Sequence, residues 1–396
     1  MNAAAALRAL HAAGIDAVGG RQATRRALGE IDTGPAVHVA AIGKAAAAMA
    51  LGAREVLGDS LVRALVATKY DHLDATLSGD PRISCLESAH PVPDAASLAS
   101  GEALVEFVRS VPDEAHLLVL LSGGASALIE KLVDGASLES LRARTDALLA
   151  EGVAIGDINR SRRELSLIKG GALAGFLGAC RVTQLMISDV PGDHPEDIGS
   201  GPLIVPSAGA DRLSEQAIAA AGRIDTRIIA SSAIAQRAVV DAARASGLTV
   251  VQPSGSLDGD VEETARRLTE RLLAPGAESG VYVWGGEPTV NLPASPGRGG
   301  RNQHLALRIA TLIAGHDELT VLVCATDGSD GPTSDAGGLV DGGTLGRGEA
   351  LGLDAGHALE TADAGTWLER AGALVSTGPT GTNVMDLAIA IRRDVR

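Results

Sequence analysis

Aromatic side chains are nearly missing from this chain: two Trp, two Tyr and two Phe, together 2% of 396 residues. Its cores must therefore be packed from Ala, Val, Leu and Ile, and a hydrophobic content of 45% is ample for that. Positive charge is also short. The net charge of −15 argues against nucleic acid or an anionic membrane as a partner, and any anionic substrate needs a site that gathers positive charge locally. No apolar run reaches the roughly 20 residues that span a bilayer. Residues Met1–Gly20 are Ala-rich but carry Arg8 and His11, so they lack a signal-peptide core and read as an amphipathic helix. Cys85, Cys180 and Cys324 are scattered without metal spacing, which fits buried reduced thiols and a cytoplasmic location. Lysine is the scarcest cation, with Lys44, Lys69, Lys131 and Lys169 set against 30 Arg. Three of the four stand beside strand ends or glycine pairs, where a compact ammonium fits and a guanidinium does not. Lys131 has no such setting and reads as chance survival.

What is present alternates. Strand patterns at Val37–Ile42, Leu61–Thr68, Leu117–Leu121, Val182–Ser188, Arg227–Ser231, Leu248–Gln252, Val281–Trp284, Leu319–Ala325 and Ala373–Ser376 are mostly separated by helical patterns. That succession predicts an α/β protein of parallel sheets covered by helices, with ligands beyond the carboxyl ends of the strands. The length predicts two domains, with a boundary in the polar, Ala-rich stretch Pro206–Gly222.

The unusual residues cluster at those strand ends. Gly43-Lys44-Ala45 closes the first strand but is not a Walker A loop, because His38 and Ala45 replace the required Gly and Ser or Thr. His90 lies in the extended segment Glu87–Asp94 and is either a ligand or a loop cap. Ser122-Gly123-Gly124-Ala125-Ser126 presents successive N–H groups and two hydroxyls as an anion nest. Asn159 and Arg163 share a helix face, and Lys169-Gly170-Gly171 either binds substrate or simply caps that segment. Asp189 and Asp193 follow a strand, as Mg²⁺ ligands, a general base or only a turn. From residue 280 to 314, a strand, Gly285-Gly286-Glu287, Gly299-Gly300-Arg301-Asn302-Gln303 and a helix combine glycines, an arginine and a helix start. Together they predict a polyanion site. Asp327 follows another strand in a loop with calcium-like Asp-x-x-Asp-Gly spacing, and Thr382 and Asn383 open what reads as a final helix.

Taken in order, these motifs resemble the glycerate kinase family of the MOFRL type, some members of which carry the name hydroxypyruvate reductase. The resemblance rests on Gly43-Lys44-Ala45, His90–Asp94, Ser122–Ala127, Leu165–Gly171, Ser188–Asp193, Ser200-Gly201-Pro202, Gly285–Val290, Gly299–Gln303, Thr326-Asp327-Gly328 and Gly381-Thr382-Asn383. One departure is Ala125, where the family has a third glycine. The resemblance implies a Rossmann-like N-terminal domain (1–222), an α/β/α MOFRL domain (223–396) and an active site in the cleft between them. It implies ATP- and Mg²⁺-dependent phosphorylation of D-glycerate to 2-phosphoglycerate, with Lys44 and Arg301 catalytic and Asp189 as metal ligand or base, Asp193 its alternate. Lys69, His90, Ser122, Gly123, Gly124, Ser126, Asn159 and Lys169 are then candidates for glycerate, and Gly285, Gly286, Glu287, Asn302, Asp327 and Asn383 for the nucleotide. A homodimer is compatible with the sequence. Two rivals differ in class. A hydroxypyruvate reductase needs a Gly-x-Gly-x-x-Gly turn, and none follows a strand here; a small-acid sensor needs no metal site.

Overall fold

Two sheets organise the protein in the computed structural model, which describes residues 2–150, 155–207, 210–251 and 255–394. The first holds six strands: β1 (Val37–Ile42), β2 (Leu61–Lys69), β3 (Ile83–Ser88), β4 (His116–Leu121), β5 (Arg181–Ile187) and β6 (Asp225–Ala230). All pair in parallel in the order β3-β2-β1-β4-β5-β6. β1 and β4 are buried throughout and are apolar apart from His38 and His116. Strand order reverses between β1 and β4, which makes their carboxyl ends the natural ligand crevice of such a sheet. The partly exposed sequence Ile-Ser-Cys-Leu-Glu-Ser explains why β3, an edge strand, escapes a reading by hydrophobicity.

The second sheet holds β7 (Gly280–Gly286), β8 (Leu319–Ala325), β9 (Gly337–Asp341), β10 (Leu374–Val375) and β11 (Asp386–Arg392), in the order β10-β9-β8-β11-β7. Its pairings are antiparallel, so the expectation of parallel sheets holds only for the first. β11 replaces the expected final helix. Its Ala388 and Ala390 lie opposite Trp284 and Tyr282, where small side chains leave room for stacked rings with centroids 5.8 Å apart. Ile389 and Ile391 point to the other face, into a core with Leu7, Leu10 and Val239. The helix Arg301–Leu312 covers the first face with Leu305 and Ile309. Helices Ala3–Val18 and Ser232–Ala245 cover the second. The segment expected as a strand at Leu248–Gln252 makes a single parallel rung, Val250 to Val281, and Gln252 lies outside the described residues.

The chain divides into a continuous unit, Gly19–Ala230, and a discontinuous one, Met1–Val18 with Ser231–Arg396. This division falls after Ala230, because β6 completes the six-stranded sheet through β5. The first helix joins the discontinuous unit because its apolar stripe packs there. Among the described residues no helix is long and apolar enough to cross a membrane.

Candidate active site

In the continuous unit the turn after β1 is locked to the turn after β4. The Ser122 N–H donates to the Ile42 carbonyl (2.9 Å) and the Lys44 N–H to the Gly123 carbonyl (2.9 Å), while the Ala45 N–H donates to Ser122 Oγ (3.0 Å). Gly43 is needed here: its φ is +120°, and a Cβ would stand 2.3 Å from Ser122 Oγ. Ser122 therefore builds the turn. Gly124 has φ +81°, and a Cβ on it would lie 3.0 Å from Lys44 Cγ and 3.2 Å from His90 Nε2. On the other side, a Cβ on Gly123 would lie 1.7 Å from Asp189 Oδ2. The Gly123-Gly124 turn thus lies between Lys44 and His90 on one flank and Asp189 on the other. Among the described residues, the N–H groups of Gly123 and Gly124 have no acceptor. Burial, then the charges of Lys44 and Lys69, lower the His90 pKa to about 4. His90 is consequently a neutral hydrogen-bonding group beside two ammonium groups.

Ala125 is fully buried, and a Cβ on Gly199 would stand 3.0 Å from the Ala125 methyl. Gly199 leaves room for the methyl that replaces the family's third glycine. Ser126 accepts a hydrogen bond from Ser200 Oγ (3.0 Å), and the Gly170 and Gly171 N–H groups donate to the Ser200 and Gly201 carbonyls (2.8 Å each). Lys169 does not join the cluster. Its ammonium is buried against Glu130, whose other oxygen accepts from Ser166 Oγ (2.5 Å). In this structure its ammonium is engaged with Glu130 and not with the Gly123-Gly124 turn. Asn159 has its side chain outside the described residues. Asp193 lies in the turn after Asp189 with φ +54°.

The discontinuous unit gathers its candidates where β7 and β8 end and β11 begins, since Asp386 pairs with both Gly286 and Ala325. Arg301 Nε donates to Asp386 Oδ2 (2.6 Å) and Nη2 to Asp386 Oδ1 (3.3 Å), while Nη1 meets Glu287 Oε1 (2.6 Å). The N–H groups expected to bind a polyanion at the helix start are engaged: Asn302 N donates to Asp330 Oδ1 (3.0 Å) and Gln303 N to Asp330 Oδ2 (2.7 Å). Asn302 is buried, its amide bridging Asp330 (3.2 Å) and Asp386 (2.9 Å). Burial, opposed by the N–H groups of Asn302 and Gln303, raises Asp330 to about 7. Burial, opposed by Arg301, raises Asp386 to about 6. Gly285 packs on Ser232 and Gln236 and Gly286 on Leu257 and Asp258, so their missing side chains admit neighbouring protein groups. Asp327 and Asn383 lie on loops joined through Thr326, whose carbonyl accepts from Thr380 Oγ1 (2.6 Å) and whose hydroxyl accepts from the Val384 N–H (2.8 Å). A Cβ on Gly328 would stand 2.0 Å from the Gly378 carbonyl, so these loops touch. Sequence reasoning passes over Asp330 as part of a calcium-like loop and Asp386 as a helix residue. Among the described residues no three His, Cys, Asp or Glu side chains converge as metal ligands.

A doubly wound sheet with ammonium groups, a neutral imidazole, an aspartate and a bare glycine turn at its point of strand reversal defines an α/β enzyme for a small anionic substrate. The chain belongs to the glycerate kinase family. Residues 6–235 match the family described as "Domain of unknown function (DUF4147)" and residues 280–386 the MOFRL family. It is 35% identical over 384 residues to the D-glycerate 2-kinase of Thermotoga maritima, covering 90% of each chain. It is 32% identical to the glycerate 2-kinase of Pyrococcus horikoshii, covering 90% of this chain and 87% of that one. The solved glycerate kinase structure from T. maritima superposes with a TM-score of 0.88 at 32% identity, over 98% of this chain and 99% of that one.

Proposed function

We propose that the protein transfers the γ-phosphoryl group of ATP to the 2-hydroxyl of D-glycerate, giving 2-phosphoglycerate. The observation that carries this reading is the turn Ser122–Gly124, with unaccepted N–H groups between Lys44 and Asp189. The glycerate carboxylate lies against that turn and Ser126, with His90 and Lys69 beside it. Lys44 offsets charge on the transferring phosphoryl group, and phosphoryl transfer depends mainly on positioning and charge of this kind. The hydroxyl oxygen attacks the γ-phosphorus, its proton passes to Asp189 or to water, and the bond to the leaving ADP oxygen breaks. On the discontinuous unit, Arg301 serves the phosphoryl group, and Glu287, Asp327 and Asn383 serve the nucleotide.

Mg²⁺ needs only one or two carboxylates when substrate phosphates complete its shell, so two aspartates suffice. Asp189, where it does not serve as the base, and Asp193 as its alternate are the oxygen donors of that kind here. When bound, the ion offsets charge on the phosphate oxygens. Removing metal with EDTA is expected to abolish turnover and leave the thermal melt unchanged; full activity in EDTA excludes this metal role. Incubation with ATP, Mg²⁺ and D-glycerate, with the product identified by NMR, tests the whole reading. The 2-phospho isomer is expected. The 3-phospho isomer, or oxidation of NADH by hydroxypyruvate, overturns it. The protein is proposed to work in the cytoplasm.

A further inference from the structure

We propose that Asp386 is a positioning residue for Arg301, an inference that rests on Arg301 serving the transferring phosphoryl group. Asp386 is fully buried and opens β11, which is flanked by β7 and β8, so its carboxylate is fixed by the sheet. It receives Arg301 Nε and Nη2 together, a two-point hold that fixes both the place and the plane of the guanidinium. A second buried layer stands behind it. Asn302 donates to Asp386 and to Asp330, and Asp330 in turn caps the helix that carries Arg301 and Asn302. Nη1 is thereby directed away from the buried pair to the half-exposed Glu287 carboxylate. Glu287 holds the position that a substrate oxygen takes when it binds, and Asp386 stays in place. A phosphate here meets three carboxylates around one guanidinium, so Arg301 works only if its one outward edge is aimed. This explains a buried charge that packing alone does not call for.

The test is a double-mutant cycle of Arg301→Ala, Asp386→Asn and both together, read as kcat, KM and melting temperature. Arg301→Ala is expected to lower kcat by about 100- to 1,000-fold. Asp386→Asn is expected to lower kcat about 100-fold with little change in KM, as a misplaced group does. The double variant is expected to equal Arg301→Ala alone. Methylguanidinium added to Arg301→Ala should restore part of the rate, and the same compound should do less for the double variant. If Asp386→Asn lowers the rate by the same factor with and without Arg301, or leaves kcat unchanged, the positioning role is overturned. If Arg301→Ala is fully active, the role of Arg301 fails instead, which is a separate result. If Asp386→Asn does not fold, Asn302→Ala carries the test, because its amide reaches only the carboxylates and not the phosphoryl group. A loss of kcat that disappears on the Arg301→Ala background then supports the inference, and an additive loss overturns it.

Discussion

The two candidate clusters hold their cations in opposite ways. Around Lys44, position comes from backbone: Gly43, Gly123 and Gly124 let two turns interlock, and the adjacent histidine is neutral. Around Arg301, position comes from charge: Asp386 and Glu287 bind the guanidinium directly, and Asp330 binds the helix start beneath it. The first cluster keeps a positive field for an anion. The second surrounds its one cation with acid, so it serves by direction and not by net attraction. A cation at a helix start next to glycine is therefore not enough to define an anion site; the fate of the surrounding N–H groups decides.

The largest effect expected within this comparison is at Lys44. Lys44→Ala should lower kcat by about 100- to 1,000-fold with a nearly unchanged melt. Lys44→Arg should fail too, since this chain uses Arg nearly everywhere and keeps Lys here; normal turnover for Lys44→Arg would break the contrast. Next comes Gly123→Ala. Its methyl cannot coexist with the Asp189 carboxylate, so that carboxylate must move. Turnover should fall at least about tenfold with a stability loss of about 1–3 kcal/mol; a variant with full kcat would show that the Asp189 position is not used.

The acid-rich cluster makes a smaller prediction about pH. Asp330 and Asp386 have folded pKa values near 7 and 6, raised by burial, against about 3.9 when unfolded. Each contributes stability that is fully present below about pH 4 and is lost as pH rises through the folded value. His90 and His11, both lowered to about 4 chiefly by burial, run the other way: their contribution is present above about pH 6.5 and lost towards pH 4. Asp330→Asn removes one falling term, so the melting-temperature gap between wild type and variant should shrink as pH rises from about 5 to about 8. A gap constant with pH would mean that Asp330 titrates normally. The smallest effect belongs to Lys131→Arg. Lys131 pairs with the exposed Glu102 away from both clusters, and its turnover and melt should match wild type within error.

The clusters at the ends of parallel strands are legible in the sequence because they are local. Gly43-Lys44, Ser122–Ser126 and Asp189 each follow a mostly apolar strand by one or two residues, and the bounds of β1 and β8 are those read from the sequence. The charge network around Arg301 is hidden because it is assembled over long separations. Asp386 lies 85 residues from Arg301, and Asp330 lies 28 from Asn302. The partner of Lys169 is hidden for the same reason, since Glu130 is 39 residues away. β11 is misread because its alanines favour a helix by themselves and a strand only when Tyr282 and Trp284 stand opposite. Gly285 and Gly286 look like an opening for a ligand, and only the fold reveals Ser232, Gln236, Leu257 and Asp258 against them.

The helix Ala3–Val18 has a consequence for the order of events on the ribosome. It emerges before the whole of the continuous unit, yet its partners, the helix Ser232–Ala245, β8 and β11, come more than 200 residues later. The continuous unit has all of its strands in hand by Ala230 and can fold as it is made. Leu7 and Leu10 must wait, with their apolar stripe uncovered, until the helix Ser232–Ala245 has been made, and their core is complete only with β11. One hydrogen bond marks the close of that wait: Thr382 Oγ1 donates to the Val18 carbonyl at 2.7 Å, across 364 residues. A nascent chain stalled before β11 would carry a finished first sheet and a helix Ala3–Val18 with only part of its cover, the helix Ser232–Ala245 and β8.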